Sequence, residues 1–169
     1  LQVDAVVLAL GGGSWSRLGS DGAWAPLLAQ RGIGVLPLRP SNCGFDVAAR
    51  PVGLAGSSEN ETSTSGWSAY FASRFAGQPF KSVAINLTDA LGREFSRRGE
   101  FVATATGVEG SLVYAASSFL RDDIERTGSA TFTLDLLPDK SAQQVLAEVR
   151  HPRGSRSLSN HLKSRLGLE

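Results

Sequence analysis

Phe80-Lys81-Ser82-Val83-Ala84-Ile85-Asn86-Leu87 is the first of three β-like runs. Arg93-Glu94-Phe95-Ser96 and Glu100-Phe101-Val102-Ala103-Thr104-Ala105-Thr106 follow it. β-Branched and aromatic side chains fit a pleated, half-buried surface. Gly92 and Gly99 punctuate the stretch, and runs this short with turn residues between them predict an antiparallel meander.

Reading outward toward the C-terminus, Gly107 and Gly110 bracket a turn. Apolar residues at 112, 113, 116, 119, 120 and 124 then predict an amphipathic helix over Ser111 to Arg126. Ala130 to Leu136 alternates Phe132, Leu134 and Leu136 with Thr131, Thr133 and Asp135, the period of a half-buried strand. Pro138 ends it. Asp139 or Ser141 is placed to cap a helix over Ala142 to Val149, and Ser157 to Leu166 offers one more.

Toward the N-terminus, Trp67 to Phe75 carries aromatic residues at 67, 70, 71 and 75, which predicts a short helix with an aromatic, core-facing side. Gly53 to Gly66 is dominated by Gly, Ser and Thr and cannot repay its ordering entropy by burial, so it reads as a surface loop. Ile33 to Leu38 and Cys43 to Ala48 are short β-like runs separated by the turn Arg39-Pro40-Ser41-Asn42. Further back, Asp21 is placed to cap a helix that Pro26 pushes to begin near Trp24, with Gly32 at its end. Val3 to Leu10 is a nearly continuous apolar run, the pattern of a strand buried on both faces.

Composition sets the outer limits. The 169 residues, 41% hydrophobic and 20% charged, suffice for one globular domain of about 150 residues. Seventeen basic against sixteen acidic residues favours no polyanionic partner, so nucleic acid is disfavoured. A lone cysteine, Cys43, allows no internal disulfide and no cysteine-based zinc cluster. Apolar runs are too short to span a membrane, no signal sequence precedes them, and a cytoplasmic location is expected. The chain opens on Leu1 and contains no methionine, which reads as a piece cut from a longer protein.

The most pointed chemical feature is Gly11-Gly12-Gly13-Ser14 after the apolar run. Glycines let a backbone approach a ligand, and consecutive amides can form an anion nest. The segment lacks the third glycine of a dinucleotide fingerprint, the Gly-Lys-Ser/Thr ending of a phosphate loop, and the last glycine of a nucleophile elbow. A tight structural turn therefore stands beside the ligand reading. His151 and His161 lie in a basic tail with Arg150, Arg153, Arg156, Lys163 and Arg165, without acids or further histidines for a metal, and read as a solvated helix face. Asp122, Asp123 and Glu125 read the same way, and Cys43 as an inert core thiol.

Asp4-Ala5-Val6-Val7-Leu8-Ala9-Leu10-Gly11-Gly12 resembles a strand and glycine turn of the FAD-binding domain in two-dinucleotide-binding-domain flavoproteins. Gly12-Gly13-Ser14-Trp15, Leu18-Gly19-Ser20-Asp21-Gly22 and Leu38-Arg39-Pro40-Ser41-Asn42-Cys43-Gly44-Phe45 narrow the resemblance to the HI0933-like flavoproteins. Within them the segments are most similar to the NAD(P)/FAD-dependent oxidoreductase, aminoacetone-oxidase-like branch. Arg74-Phe75-Ala76-Gly77, Thr106-Gly107-Val108-Glu109-Gly110, Leu134-Asp135-Leu136-Leu137-Pro138 and Ser157-Leu158-Ser159-Asn160-His161-Leu162 continue the series. Leu10 departs from the threonine usual in that turn, and residues 49–66 are longer than usual.

The resemblance implies an α+β fold: a small Greek-key antiparallel β-barrel of about six strands with packed helices, flanked by a remnant of an FAD-binding α/β domain. Residues 1–32 would be that remnant, 33–139 the inserted barrel and 140–169 the start of a helical subdomain. It implies FAD in the full-length parent, with Gly11, Gly12, Gly13 and Ser14 approaching the cofactor and Gly19 and Asp21 in a loop facing it. The remaining FAD-binding domain of the same chain would be the partner and an unknown small molecule the substrate, with NAD(P)H a candidate electron donor. The segment by itself is expected to bind no FAD. The other reading is a barrel module that contacts RNA or protein.

Overall fold

The computed structural model describes residues 2–48 and 66–168. The loop read over Gly53 to Gly66 lies, except for Gly66, outside the described residues. The described residues form two compact units that part after Ser41.

In the second unit, strands β1 (Phe45–Asp46), β2 (Pro79–Thr88), β3 (Glu94–Ala103), β4 (Gly107–Glu109) and β5 (Thr133–Asp135) form one antiparallel sheet. Their spatial order is β1-β4-β3-β2-β5. The meander β2-β3-β4 is extended at each end by a strand that arrives over a long connection, which is Greek-key order twice over. Among the described residues the sheet has five strands and stays open, with β1 and β5 at its edges.

The antiparallel meander holds with shifted strands: the runs read at 93–96 and 100–106 join in β3, and Gly107–Glu109, read as a turn, is β4. Gly99 does not divide two runs but lies inside the ten-residue β3. Its role is close approach: a Cβ there would stand 3.3 Å from Leu112 Cβ, so the missing side chain lets a helix sit down on the strand. That helix is α3 (Ser111–Thr127), which buries Leu112, Val113, Ala116, Ser117 and Leu120. The buried set follows the 3.6-residue period, while Ile124 ends 38% exposed. Val83, Ile85 and Leu87 of β2, Phe101 of β3 and Val108 of β4 complete the core. Phe80 and Phe101 face each other in the register and stack at 4.9 Å.

Helix α2 (Ala69–Phe75) starts at Ser68, whose hydroxyl accepts a hydrogen bond from the Phe71 amide at 3.1 Å. Trp67, Phe71 and Phe75 form a ladder with centroids 4.5 and 4.9 Å apart. Tyr70 was expected on the same face and is instead 68% exposed. Rings spaced four apart align down one side of a helix, and Tyr70 falls off that line.

Helices α4 (Ala142–Arg150) and α5 (Leu158–Leu166) pack on each other. Of the two expected caps for α4, Ser141 serves: it and Gln144 exchange side-chain and backbone hydrogen bonds in a capping box. Asp139 pairs instead with Arg98 at 2.6 Å. Ser157 caps α5 through the Asn160 amide.

In the first unit, a single 3-10 turn (Ser16–Leu18) precedes helix α1 (Trp24–Ala29). The run Val3 to Leu10, read as a strand buried on both faces, forms no strand here, and Val6 and Val7 are 71% and 90% exposed. A doubly buried strand needs a neighbour on each side and a layer on each face, and the described residues supply none.

Candidate functional site

The glycine turn is the hub of the first unit. The Gly11 carbonyl accepts a hydrogen bond from the Trp24 indole at 3.1 Å, and the Gly12 carbonyl accepts one from the Gly22 amide at 3.1 Å. Between them the chain makes a tight hairpin: Trp15 and Ser20 exchange backbone bonds of 2.9 and 3.1 Å. Gly19 closes the 3-10 turn in a left-handed conformation. Asp21 stays exposed while its Oδ1 accepts the Ala23 amide at 3.0 Å just before α1.

These contacts sort the six expected site residues. Gly11 has φ 75, a conformation that glycine adopts without strain. Gly13 is small for its own unit, since a Cβ would stand 2.9 Å from Leu38 Cδ1. Gly12 has an ordinary φ, and its Cβ would meet only Ser20 Oγ at 3.6 Å; Gly19 has nothing within 4 Å. Gly11, Gly12, Ser14 and Gly19 are all exposed. Their backbone is therefore open to solvent along the turn.

The second unit holds polar arrangements that the sequence reading missed. At the β2-β3 hairpin, Asp89 is 5% exposed. It accepts hydrogen bonds from the amides of Leu91 and Arg93 and from Arg93 Nε at 2.5 Å. Arg93 reaches on to Asp122 at 3.2 Å, and Asp123 accepts the Ala90 amide at 2.9 Å. Asp122 and Asp123, expected on a solvated face, thus clamp the end of α3 to the hairpin. Burial raises the Asp89 pKa, but the hydrogen bonds and charge of Arg93, with the Leu91 amide, outweigh it and hold the carboxyl below its ordinary value. The Asp89 and Asp122 carboxylates push the Arg93 guanidinium further up.

His161 also departs from the solvated-face reading. It is 2% exposed, and its Nε2 finds no hydrogen-bond partner among the described residues. Residues 161, 162, 165 and 166 form the inner side of α5, and Arg165 ties that helix to Glu148 of α4 at 2.9 Å. A cleft of about 850 Å³ opens where the end of α2, the start of β2 and the β5-α4 connection meet. A smaller hollow of about 370 Å³ lies against Val145, Leu146 and Val149 of α4. Neither is lined by the glycine turn.

Residues 60–168 match the family model described as the HI0933-like protein barrel and H2TH domain. The chain belongs to the HI0933-like family. The HI0933-like match takes in β2 to β5 and α2 to α5, and the glycine turn lies outside it. A search of curated proteins found no match. Among the described residues no helix is long and apolar enough to cross a membrane.

The signals that could have exposed the missed residues are uneven. Asp89 followed by Gly92-Arg93 is a hairpin with an Asx acceptor, legible in principle. The cleft joins three segments far apart in sequence, 74–83, 136–140 and 167–168, and leaves no local pattern.

Proposed function

We propose that this chain is the insert region of an FAD-dependent oxidoreductase, shaping access to a flavin held mainly by the remaining FAD-binding domain of the same parent protein. The family match to a barrel and H2TH domain over residues 60–168 carries the reading. When bound, FAD supplies the redox chemistry, with NAD(P)H as a candidate donor. Gly11, Gly12, Gly13 and Ser14 offer backbone approach, and Gly19 and Asp21 lie in the loop beside it. The antiparallel sheet domain covers the reacting centre, excludes water and selects a small-molecule substrate. A lone cysteine suits a reducing cytoplasm.

The test is to replace residues 33–139 by a short linker in the full-length parent. Some flavin should remain bound, with altered solvent exposure and a changed rate of oxidation in air. A folded, flavin-loaded deletion variant with the parent's substrate profile and air reactivity would end the gating role.

A second reading, a module that contacts RNA, is favoured by one feature. Residues 149–168 contain no acid, and Arg150, Arg153 and Arg156 are exposed there. Salt-sensitive retention of RNA by the chain would support it, and retention independent of salt, or none, would count against it.

A further inference from the structure

The cleft of the second unit has a floor and a rim of different chemistry. Phe75, Phe80 and Leu136 are among its apolar lining, and Arg74, Lys81 and Lys140 all line it with exposed cationic side chains. Its acidic member, Asp139, is paired to Arg98 at 2.6 Å, so the three cations are not offset by that carboxylate. The volume, about 850 Å³, suits a small organic ligand.

A second observation comes from the backbone. The β2-β3 register runs from Phe80↔Phe101 directly to Val83↔Gly99, so Lys81 and Ser82 together oppose Glu100 in a β-bulge. Ser82 has φ 55, the one non-glycine residue with positive φ among the described residues. Bulges re-aim side chains, and strained backbone persists where surrounding structure enforces it, commonly at binding sites. Here the strained residue and its neighbour Lys81 both line the cleft.

We propose that this cleft binds an amphipathic small anion, an aromatic or apolar body bearing a carboxylate or phosphate, with the body against Phe75 and Phe80 and the anion among Arg74, Lys81 and Lys140. The proposal stands on the second unit alone and does not depend on the flavin reading. Opposite charge in a concave, partly apolar wall raises both encounter rate and selectivity for such a ligand.

The experiment titrates the isotopically labelled 169-residue chain, followed by amide shifts, with three probes: 1-naphthyl phosphate, 1-naphthoate and the neutral 1-naphthylmethanol. Both anions should saturate, with shifts centred on residues 74–83 and 136–140, and should bind more tightly than the alcohol. Lys81→Gln or Lys140→Gln should each weaken the anions about threefold, and the double variant about tenfold, leaving the alcohol unchanged. If a variant fails to fold, the wild-type chain still decides: added salt should weaken both anions but not the alcohol. Phosphate binding without carboxylate binding would narrow the ligand to phosphate esters. Equal affinity for the alcohol, shifts centred elsewhere, or salt-independent anion binding would overturn the proposal.

Discussion

Asp89 shows how a single side chain organises a hairpin. Its carboxylate takes two amides and a guanidinium while nearly buried, and each donor favours the charged form. Because its pKa lies below the ordinary 3.8, its contribution is present above the unfolded pKa and is lost as pH falls through the folded value. Asp89→Asn should therefore lower the urea midpoint at neutral pH and flatten the acid side of the stability profile. An unchanged acid slope would remove Asp89 from this role. Ser82→Gly should raise stability by about 1 kcal/mol by releasing the positive-φ cost, read as a higher midpoint at unchanged slope. At the glycine turn, Gly12 is the informative position. Its torsions are ordinary and a Cβ has room, so Gly12→Val should fold normally; loss of FAD from the parent would then report on ligand approach rather than on strain.

At the scale of elements, what the sequence shows depends on whether a pattern is local. The α3 periodicity and the Ser141 cap, one of the two offered for α4, are local and appear where the pattern puts them, and Ser157, read as the first residue of α5, is its cap. Ser141→Ala should cost about 1 kcal/mol, measured by urea unfolding, because the Gln144 amide loses its hydroxyl acceptor while the backbone amide at 141 keeps its bond to Gln144 Oε1. Patterns that depend on a distant partner read less well. Gly99 looks like punctuation until α3 is laid on β3. His161 looks solvated until α5 meets α4, and Val3 to Leu10 looks like a buried strand although nothing among the described residues pairs with it. Strand β1, two residues long and held by its bonds to β4, falls inside the β-like run Cys43 to Ala48, whereas Ile33 to Leu38, read the same way, forms no strand.

Across the whole molecule, the antiparallel architecture was legible because alternating runs and glycines encode it segment by segment, whereas the cleft was not, because its cations come from α2, β2 and the β5-α4 connection. Ile85, fully buried on the inner strand β2, belongs to the core cluster that joins the sheet to α3. Ile85→Ala should cost about 2–5 kcal/mol and Ile85→Val about 0.5–1.5, a ratio that separates core packing from hairpin electrostatics. The glycine turn reads in the sequence both as a tight structural turn and as a ligand-approach motif, and the structure shows its glycines exposed, with the Gly11 and Gly12 carbonyls hydrogen-bonded inside the first unit. The most direct measurement of the central claim is the visible spectrum of the purified full-length parent, before and after anaerobic addition of NADH or NADPH. The account predicts the spectrum of oxidised flavin at near one equivalent per chain, bleached by one of the two donors. A folded parent that is colourless and takes up no added FAD would contradict it.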